Sequence, residues 1–199
     1  MKHRSIRDLF TRIAPNYDII NRLIALGQDR RWRREALARA HLSPGDIVLD
    51  VATGTGDVAL MASAHQPNVR VIGVDVTPAM LDRAREKAQA HPGANPGWAL
   101  GDGLALPFQN DAFDAVISAF MIRNVPDVLR AFREQQRVVR TGCPVVCLEL
   151  TWPRHLPMSL LFQGYFFGWT PIVGWLMSGD REAYQYLPRS VKQIGRAHV

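Results

Sequence analysis

The sequence predicts an α/β fold, an open and mostly parallel twisted sheet flanked by helices. Three observations carry this. Short β-rich runs alternate with helical ones after Ser43-Pro44-Gly45, and the first of them runs straight into the turn Asp50-Val51-Ala52-Thr53-Gly54-Thr55-Gly56-Asp57. At 199 residues the chain suffices for one domain of ordinary size. Such alternation requires parallel strands with right-handed helical crossovers, and ligands in these sheets bind at the carboxyl ends of the strands.

Taken in order, Ile19 to Leu42 carries apolar residues at roughly helical spacing with a break at Gly27, which predicts two helices within an N-terminal helical cap over 1–42. Strands follow at 46–52, 69–75, 97–100, 113–119 and 144–150, with helices at 57–65, 78–90 and 126–139, forming a core over 46–150. The stretch from Leu156 to Gly179 contains no charged residue, and nine of the seventeen aromatics fall between Trp152 and Tyr186. Its length suits a membrane span, yet Pro157, Pro171, Gly164, Gly168, Gly174 and Gln163 would break one continuous helix. Buried core helices and an apolar, substrate-covering insert over 152–190 are the other two readings.

A 47% apolar content and a formal net charge of +6 exclude a disordered chain. Cys143 and Cys147 alone can build neither a disulfide framework nor a cysteine zinc site, so no metal is expected and a reducing cytoplasm fits best. Residues 1–40 hold ten Lys and Arg against four acids, so the whole excess sits at the N-terminus. That basic start suits an anionic membrane surface, a nucleic acid or an acidic ligand, or is simply a solvated helix face. Arg7, Asp8 and Arg12 interrupt any signal-peptide core.

Gly54 and Gly56 let the backbone approach a ligand closely, and Asp75, twenty-one residues after Gly54, ends the next strand where a carboxylate can accept both hydroxyls of a ribose. A nucleoside ligand follows. A dinucleotide pyrophosphate wants a helix N-terminus free of acid, whereas Asp50 and Asp57 bracket this turn. Two carboxylates suit a cationic ligand with an ammonium and a sulfonium, so S-adenosylmethionine is favoured over NAD. Asp102 and Gly103, in Gly101-Asp102-Gly103-Leu104-Ala105-Leu106-Pro107-Phe108 after the third strand, offer an acceptor for the adenine amine; as an Asp-Gly pair they also read as an ordinary turn.

DVATGTGD, GVDVTPAML and GDGLALPFQNDAFD resemble the Rossmann-like class I S-adenosylmethionine-dependent methyltransferases. Tyr17-Asp18-Ile19-Ile20-Asn21 with Trp32, Ile122-Arg123-Asn124-Val125, and Asp180 with AYQYLPRSV over 183–191 resemble the ubiquinone/menaquinone biosynthesis C-methyltransferases, most closely the demethylmenaquinone methyltransferases. The likeness covers about residues 8–193, a single domain. It implies that Thr55, Asp75, Asp102 and Gly103 contact the cofactor beside Asp50, Gly54 and Gly56.

The implied reaction is methylation of a ring carbon of a prenylated quinol: demethylmenaquinol to menaquinol, or a benzoquinol of the ubiquinone pathway. Arg123 is the candidate to stabilise the phenolic oxyanion, and Asn124 to orient the ring or a water. Tyr17 and Asn21 close the pocket from the N-terminal helices. Asp29 stands where many members have histidine, which argues against an essential base there, and no general base is named. The enzyme is expected in the cytoplasm, peripheral at the inner membrane face, with Arg30, Arg31, Arg33 and Arg34 meeting headgroups; nucleic acid is not an expected partner, and a homodimer is left open. Family members continue past Val191 with a helix and two more strands, so truncation is expected. Ile194-Gly195-Arg196-Ala197-His198-Val199 back-translates into the start of a common sequencing adapter and reads as a non-native tail. Rival readings are a nicotinamide-dependent oxidoreductase and an inactive fragment that binds ligand or membrane.

Overall fold

A computed structural model of the protein describes residues 2–65, 68–91, 93–151 and 156–169. Five parallel strands, β1 (Ile47–Val51), β2 (Arg70–Asp75), β3 (Gly97–Leu100), β4 (Ala115–Ala119) and β5 (Val145–Leu148), lie in the order β3-β2-β1-β4-β5. Each predicted strand is present, shortened by a residue or two at most ends. β4 begins two residues late because Phe113 makes only an isolated bridge to Val139, while Asp114 turns its carboxylate onto the Ile47 N–H at 2.8 Å.

Continuous apolar runs rather than alternating ones form β1 and β4 because both faces of the sheet are covered. One face packs Leu49, Val51, Val74, Phe113 and Val116. The other packs Val48, Val71, Ala115 and Ile117 against α4 (Asp57–Ser63) and against Leu37 of α3 (Asp29–Arg39). α5 (Pro78–Gln89) begins with a proline that needs no amide partner, and α6 (Val128–Val138) is capped by Asp127, whose carboxylate accepts the Arg130 N–H at 2.9 Å.

The cap holds one helix more than the sequence pattern shows. α1 (Lys2–Ile13) precedes α2 (Tyr17–Ile24); Ile6, Leu9, Phe10 and Ile13 recur at helical spacing, but interleaved charges mask the period. Ile13, Ala14, Ile20 and Ile24 pack with Met80 of α5, which places the cap over the carboxyl ends of β1 and β2. Gly27, with φ +74°, makes the expected break between α2 and α3.

α7 (Leu156–Gly164) runs into a π-helical turn at Tyr165–Trp169. Leu160, Phe167 and Trp169 are exposed, so this part of the apolar stretch is not a buried core helix. Among the described residues no helix is long and apolar enough to cross a membrane. Most of the 152–190 insert, the AYQYLPRSV motif and the suspected tail at 194–199 lie outside the described residues.

Strand order reverses direction between β1 and β4, so the loops after β1 and β4 splay apart and leave a crevice above their carboxyl ends. Gly56 combines a left-handed backbone with close packing: its φ is +83°, and a Cβ there would lie 2.6 Å from Trp98 Cη2. Gly56→Ala is therefore expected to cost about 2 kcal/mol or more, from the left-handed backbone plus the clash. Urea denaturation checks this; an unchanged midpoint would show that the turn relaxes freely.

Candidate active site

Two cavities open above the carboxyl ends of the strands. A cleft of about 90 Å³ is bounded by Gly54, Asp75, Gly103, Met121 and, from the cap, Phe10 and Tyr17. A larger cavity of about 310 Å³ is bounded by Asn21, Trp32, Arg33, Arg123, Phe162 and Tyr165, among others. Tyr17 and Phe120 line both.

The loop after β1 is rigidly braced from below. Asp50 is 1% exposed; its Oδ2 accepts the Thr53 hydroxyl at 2.6 Å and the Ala59 N–H at 3.1 Å. Burial raises its carboxyl to about 7, against the opposing pull of those two bonds and of Arg33. Asp75, at the end of β2, accepts the Gly54 N–H at 2.9 Å through Oδ2 and the Thr77 N–H at 2.8 Å through Oδ1. Burial raises its pKa as well. The Val76 N–H and the Thr77 hydroxyl also bond to this carboxyl, which lines the cleft.

Asp102 and Gly103 line the same cleft from the loop after β3. Asp102 Oδ1 accepts the Leu104 N–H at 2.9 Å, forming the turn. Any side chain at 103 would strike Met121, whose Cε would be 2.3 Å from a Cβ. Of the seven candidate cofactor residues, Gly54, Asp75, Asp102 and Gly103 meet in this cleft. Asp50 and Thr55 lie beside a separate small cavity under the loop, and Gly56 lines neither.

Two expectations about charge are corrected. Asp57 is not a free carboxylate facing a ligand: its Oδ1 takes Lys87 Nζ at 2.6 Å and its Oδ2 lies 3.4 Å from Arg33. Burial alone would raise its pKa, but Lys87 and Arg33 hold it below the usual value. With Asp50 buried and Asp57 paired, the loop does not present the two free acids that were held to select a cationic ligand. Arg33 is likewise not part of an exposed basic cluster. It is 7% exposed and bonded to Asp29 at 2.7 Å, whereas Arg30, Arg31 and Arg34 are exposed.

The larger cavity brings Tyr17, Asn21 and Arg123 together. Asn124 stands apart from them, lining the cleft and donating its Nδ2–H to the Phe120 carbonyl at 3.1 Å. Arg123 Nη1 meets Glu149 Oε1 at 2.5 Å with both side chains buried, while its Nε has no partner among the described residues. Burial pushes the Tyr17 hydroxyl up, against the pull of Arg123 and Arg33. Thr55 gives its hydroxyl to Asp18 at 2.5 Å.

Sequence reasoning missed Phe120 and Glu149, and it gave Arg33 to the headgroups where the structure puts it in the cavity wall. Phe120 has φ +59°, a strained value for a bulky residue of the kind that gathers at functional sites, and the guanidinium carbons of Arg33 and Arg123 lie 5.4 and 5.3 Å from its ring centre. The signal was available: a residue at the carboxyl end of a strand beside the crossover point faces the ligand. Arg33 could have been found from Asp29 four residues earlier, the spacing of a helical ion pair.

An open parallel sheet with a glycine loop after β1, an acid ending β2 and an Asp-Gly turn after β3 defines a class I S-adenosylmethionine-dependent methyltransferase. The fold agrees with solved structures: a putative S-adenosyl-L-methionine-dependent methyltransferase of Methanococcus maripaludis superposes with a TM-score of 0.62 at 18% identity, covering 92% of this chain and 83% of that one. A SAM-dependent methyltransferase of Aquifex aeolicus gives a TM-score of 0.57 at 20% identity, over 69% of this chain and 74% of that one. The chain belongs to the ubiE/COQ5 methyltransferase family, whose model matches residues 1–198, and is a S-adenosylmethionine-dependent C-methyltransferase. It is 44% identical over 184 residues to a demethylmenaquinone methyltransferase of Thermus thermophilus, covering 92% of this chain and 83% of that protein. It is 43% identical over 195 residues to the ubiquinone/menaquinone biosynthesis C-methyltransferase UbiE of Geobacter sulfurreducens, covering 97% and 76%. Membership sets aside the nicotinamide-dependent reading.

The raised pKa of Asp50 makes the fold's stability depend on pH. Its folded-state value of about 7 lies above the ordinary 3.8, so the folded state holds a proton that the unfolded chain has lost. That stabilisation is intact below the ordinary value and disappears as pH climbs through about 7. Asp50→Asn, which stays neutral, should therefore gain on the wild type from pH 4 to about pH 7 and level off above it. Urea titrations without cofactor test this, and a constant gap between the two proteins would contradict it.

Proposed function

We propose that the enzyme methylates a ring carbon of a prenylated quinol, with a demethylmenaquinol-type naphthoquinol as the first substrate and a ubiquinone-pathway benzoquinol as the second. The observation that carries this is the pair of cavities sharing Tyr17 and Phe120, one lined with ribose and amine acceptors, the other larger and walled by aromatic and aliphatic side chains. The similarity to a demethylmenaquinone methyltransferase and to a ubiquinone/menaquinone biosynthesis C-methyltransferase supports the same reading.

S-adenosylmethionine fits the smaller cleft by its donor and acceptor set. Asp75, which lines the cleft, would take the ribose hydroxyls in exchange for the Thr77 hydroxyl, and Asp102 the adenine amine, with Val76 and Met80 against the ring. Gly54 and Gly103 keep side chains out of the way, while Asp50, Thr55 and Gly56 shape the loop from behind. When bound, this group supplies an electrophilic methyl. The chain's own part is alignment and exclusion of water, which can account for a large share of the rate.

Deprotonating a quinol hydroxyl places charge on the ortho carbon and makes it nucleophilic. Arg123 holds the developing charge through Nε, its net charge being matched by Glu149. Tyr17 and Asn21 close the cavity from α2, and Asn124 braces Phe120 from the cofactor side. The protein works in the cytoplasm against the anionic inner face of the membrane, where such substrates reside, and touches it through Arg30, Arg31 and Arg34.

Two measurements test this reading. Methyl transfer from S-adenosylmethionine should be seen with a prenylated naphthoquinol and should fall about 10- to 100-fold in Arg123→Lys, which keeps the charge but loses Nε, with cofactor affinity unchanged. Activity on neither naphthoquinol nor benzoquinol would refute the substrate class. Binding to anionic vesicles should weaken as salt rises and when Arg30, Arg31 and Arg34 become Gln, since each basic residue near such a surface contributes about 1 kcal/mol. Protein that ignores vesicles at low salt would leave these arginines as an ordinary solvated face.

A further inference from the structure

One acceptor in the larger cavity has no use in the roles above, and the sequence expectation against a base at its position does not exclude one, since histidine takes a proton as a carboxylate does. Asp29 opens α3, is 5% exposed and lines that cavity. Its Oδ2 accepts the Arg33 Nη1–H at 2.7 Å. Its Oδ1 is buried and has no hydrogen-bond partner among the described residues. A carboxylate oxygen withdrawn from water without a donor is costly, and a fold that keeps one in a cavity leaves a place for a ligand's donor. The same cavity carries the complementary orphan, the Arg123 Nε–H. A quinol hydroxyl can serve both, giving its hydrogen to the carboxylate while its oxygen accepts from the guanidinium, which keeps Arg123 on the oxygen that becomes charged.

We propose that Asp29 Oδ1 accepts the hydroxyl of the quinol and takes its proton during methyl transfer, an inference that rests on the quinol reading above. As the O–H pair of electrons passes into the ring, the ortho carbon forms its bond to the methyl group and the carbon–sulfur pair stays on sulfur, leaving a neutral thioether. The ring, now a dienone, loses the hydrogen of the methylated carbon to water as a proton, while its carbonyl oxygen recovers the proton held on Asp29. One proton leaves in total and Asp29 is regenerated. The charged and titratable groups around Asp29 are Arg33 on its own helix, Asp57 of α4 behind Arg33, Tyr17 of α2, Arg123 with Glu149 behind it, and Tyr165 of the π-helical turn. Arg33 holds Oδ2 and so leaves Oδ1 as the oxygen without a donor.

Asp29→Asn keeps an oxygen for Arg33 but cannot take a proton. In single-turnover methyl transfer to a short-chain 2-prenyl-1,4-naphthoquinol it should be about 100-fold slower or worse, with S-adenosylmethionine affinity unchanged by calorimetry. Its residual rate should climb about tenfold per pH unit between pH 7 and 9 as the quinol ionises unaided, while the wild type stays flat; Asp29→Glu should recover part of the loss. A purely structural Asp29 would not produce that slope. Independently of turnover, tryptophan quenching, with Trp32 in the cavity wall, should show the wild type binding the quinol at least about tenfold more tightly than its dimethyl ether. An Asp29→Asn enzyme within threefold of wild type and equally flat with pH, or equal wild-type affinity for quinol and ether, overturns the proposal. Should Asp29→Asn fail to fold, the wild-type ether comparison decides. A wild type that methylates no quinol overturns the quinol reading itself, whereas an active wild type with an equally active Asp29→Asn overturns only the role of Asp29.

Discussion

The Lys87 ammonium is the point on which the geometry of both cavities depends. Its Nζ lies 2.6 Å from Asp18 of α2 and 2.6 Å from Asp57 of α4, and it reaches the Thr55 hydroxyl at 3.1 Å. Arg33 continues the chain of charge from Asp57 to Asp29. Four helices are thereby tied to the loop after β1 by alternating carboxylates and cations, all of them partly or wholly withdrawn from water. Pairs of this kind are screened less than surface ion pairs, and loss of any one member strands its neighbours. The position of Tyr17 and Asn21 thus follows from the glycine loop, because Asp18, between them on α2, is held by the same ammonium that holds the loop.

This coupling explains why so many acids near the loop do structural work. Asp50 is committed to Thr53 and Ala59, Asp57 to Lys87 and Arg33, and Asp18 to Lys87 and Thr55. Among the described residues the carboxylates that line the cleft are Asp75, at the end of β2, and Asp102, in the turn after β3. Selection between a cationic and an anionic cofactor therefore cannot rest on counting acids around the loop; it rests on which of them line the crevice.

The strands, the glycine loop, Asp75 and Asp102 were legible in the sequence because each follows from a short-range rule: apolar runs make buried strands, and acids at strand ends face the crevice. What stayed hidden depends on long-range partners. Arg30, Arg31, Arg33 and Arg34 read as one basic face, yet a helix turns about 100° per residue, so Arg33 points inward to Asp29 and Asp57 while its neighbours remain in water. Thr55 resembled a cofactor contact, but its hydroxyl is taken by a residue thirty-seven positions earlier, which no local pattern announces. Asn124 and Arg123 are adjacent in sequence, and the short 3-10 turn at Ile122–Asn124 sends their side chains to different cavities. The helical period of α1 was present but diluted by charge.

Two guanidinium groups beside the wall between the cavities pose an electrostatic problem. An unpaired cation there would repel a sulfonium in the neighbouring cleft, and in a site shielded from water that repulsion would be large. The structure meets the difficulty by pairing each: Arg33 with Asp29 and Asp57, Arg123 with Glu149. Paired guanidiniums still offer N–H donors of fixed direction, because the planar fork has more donors than one carboxylate can occupy. Packing against Phe120, whose backbone is held in a left-handed conformation, fixes where those donors point. The cavity thus gains directional hydrogen bonding with little net positive charge, which is the condition under which a neutral acceptor ring and a cationic methyl donor can occupy adjoining spaces.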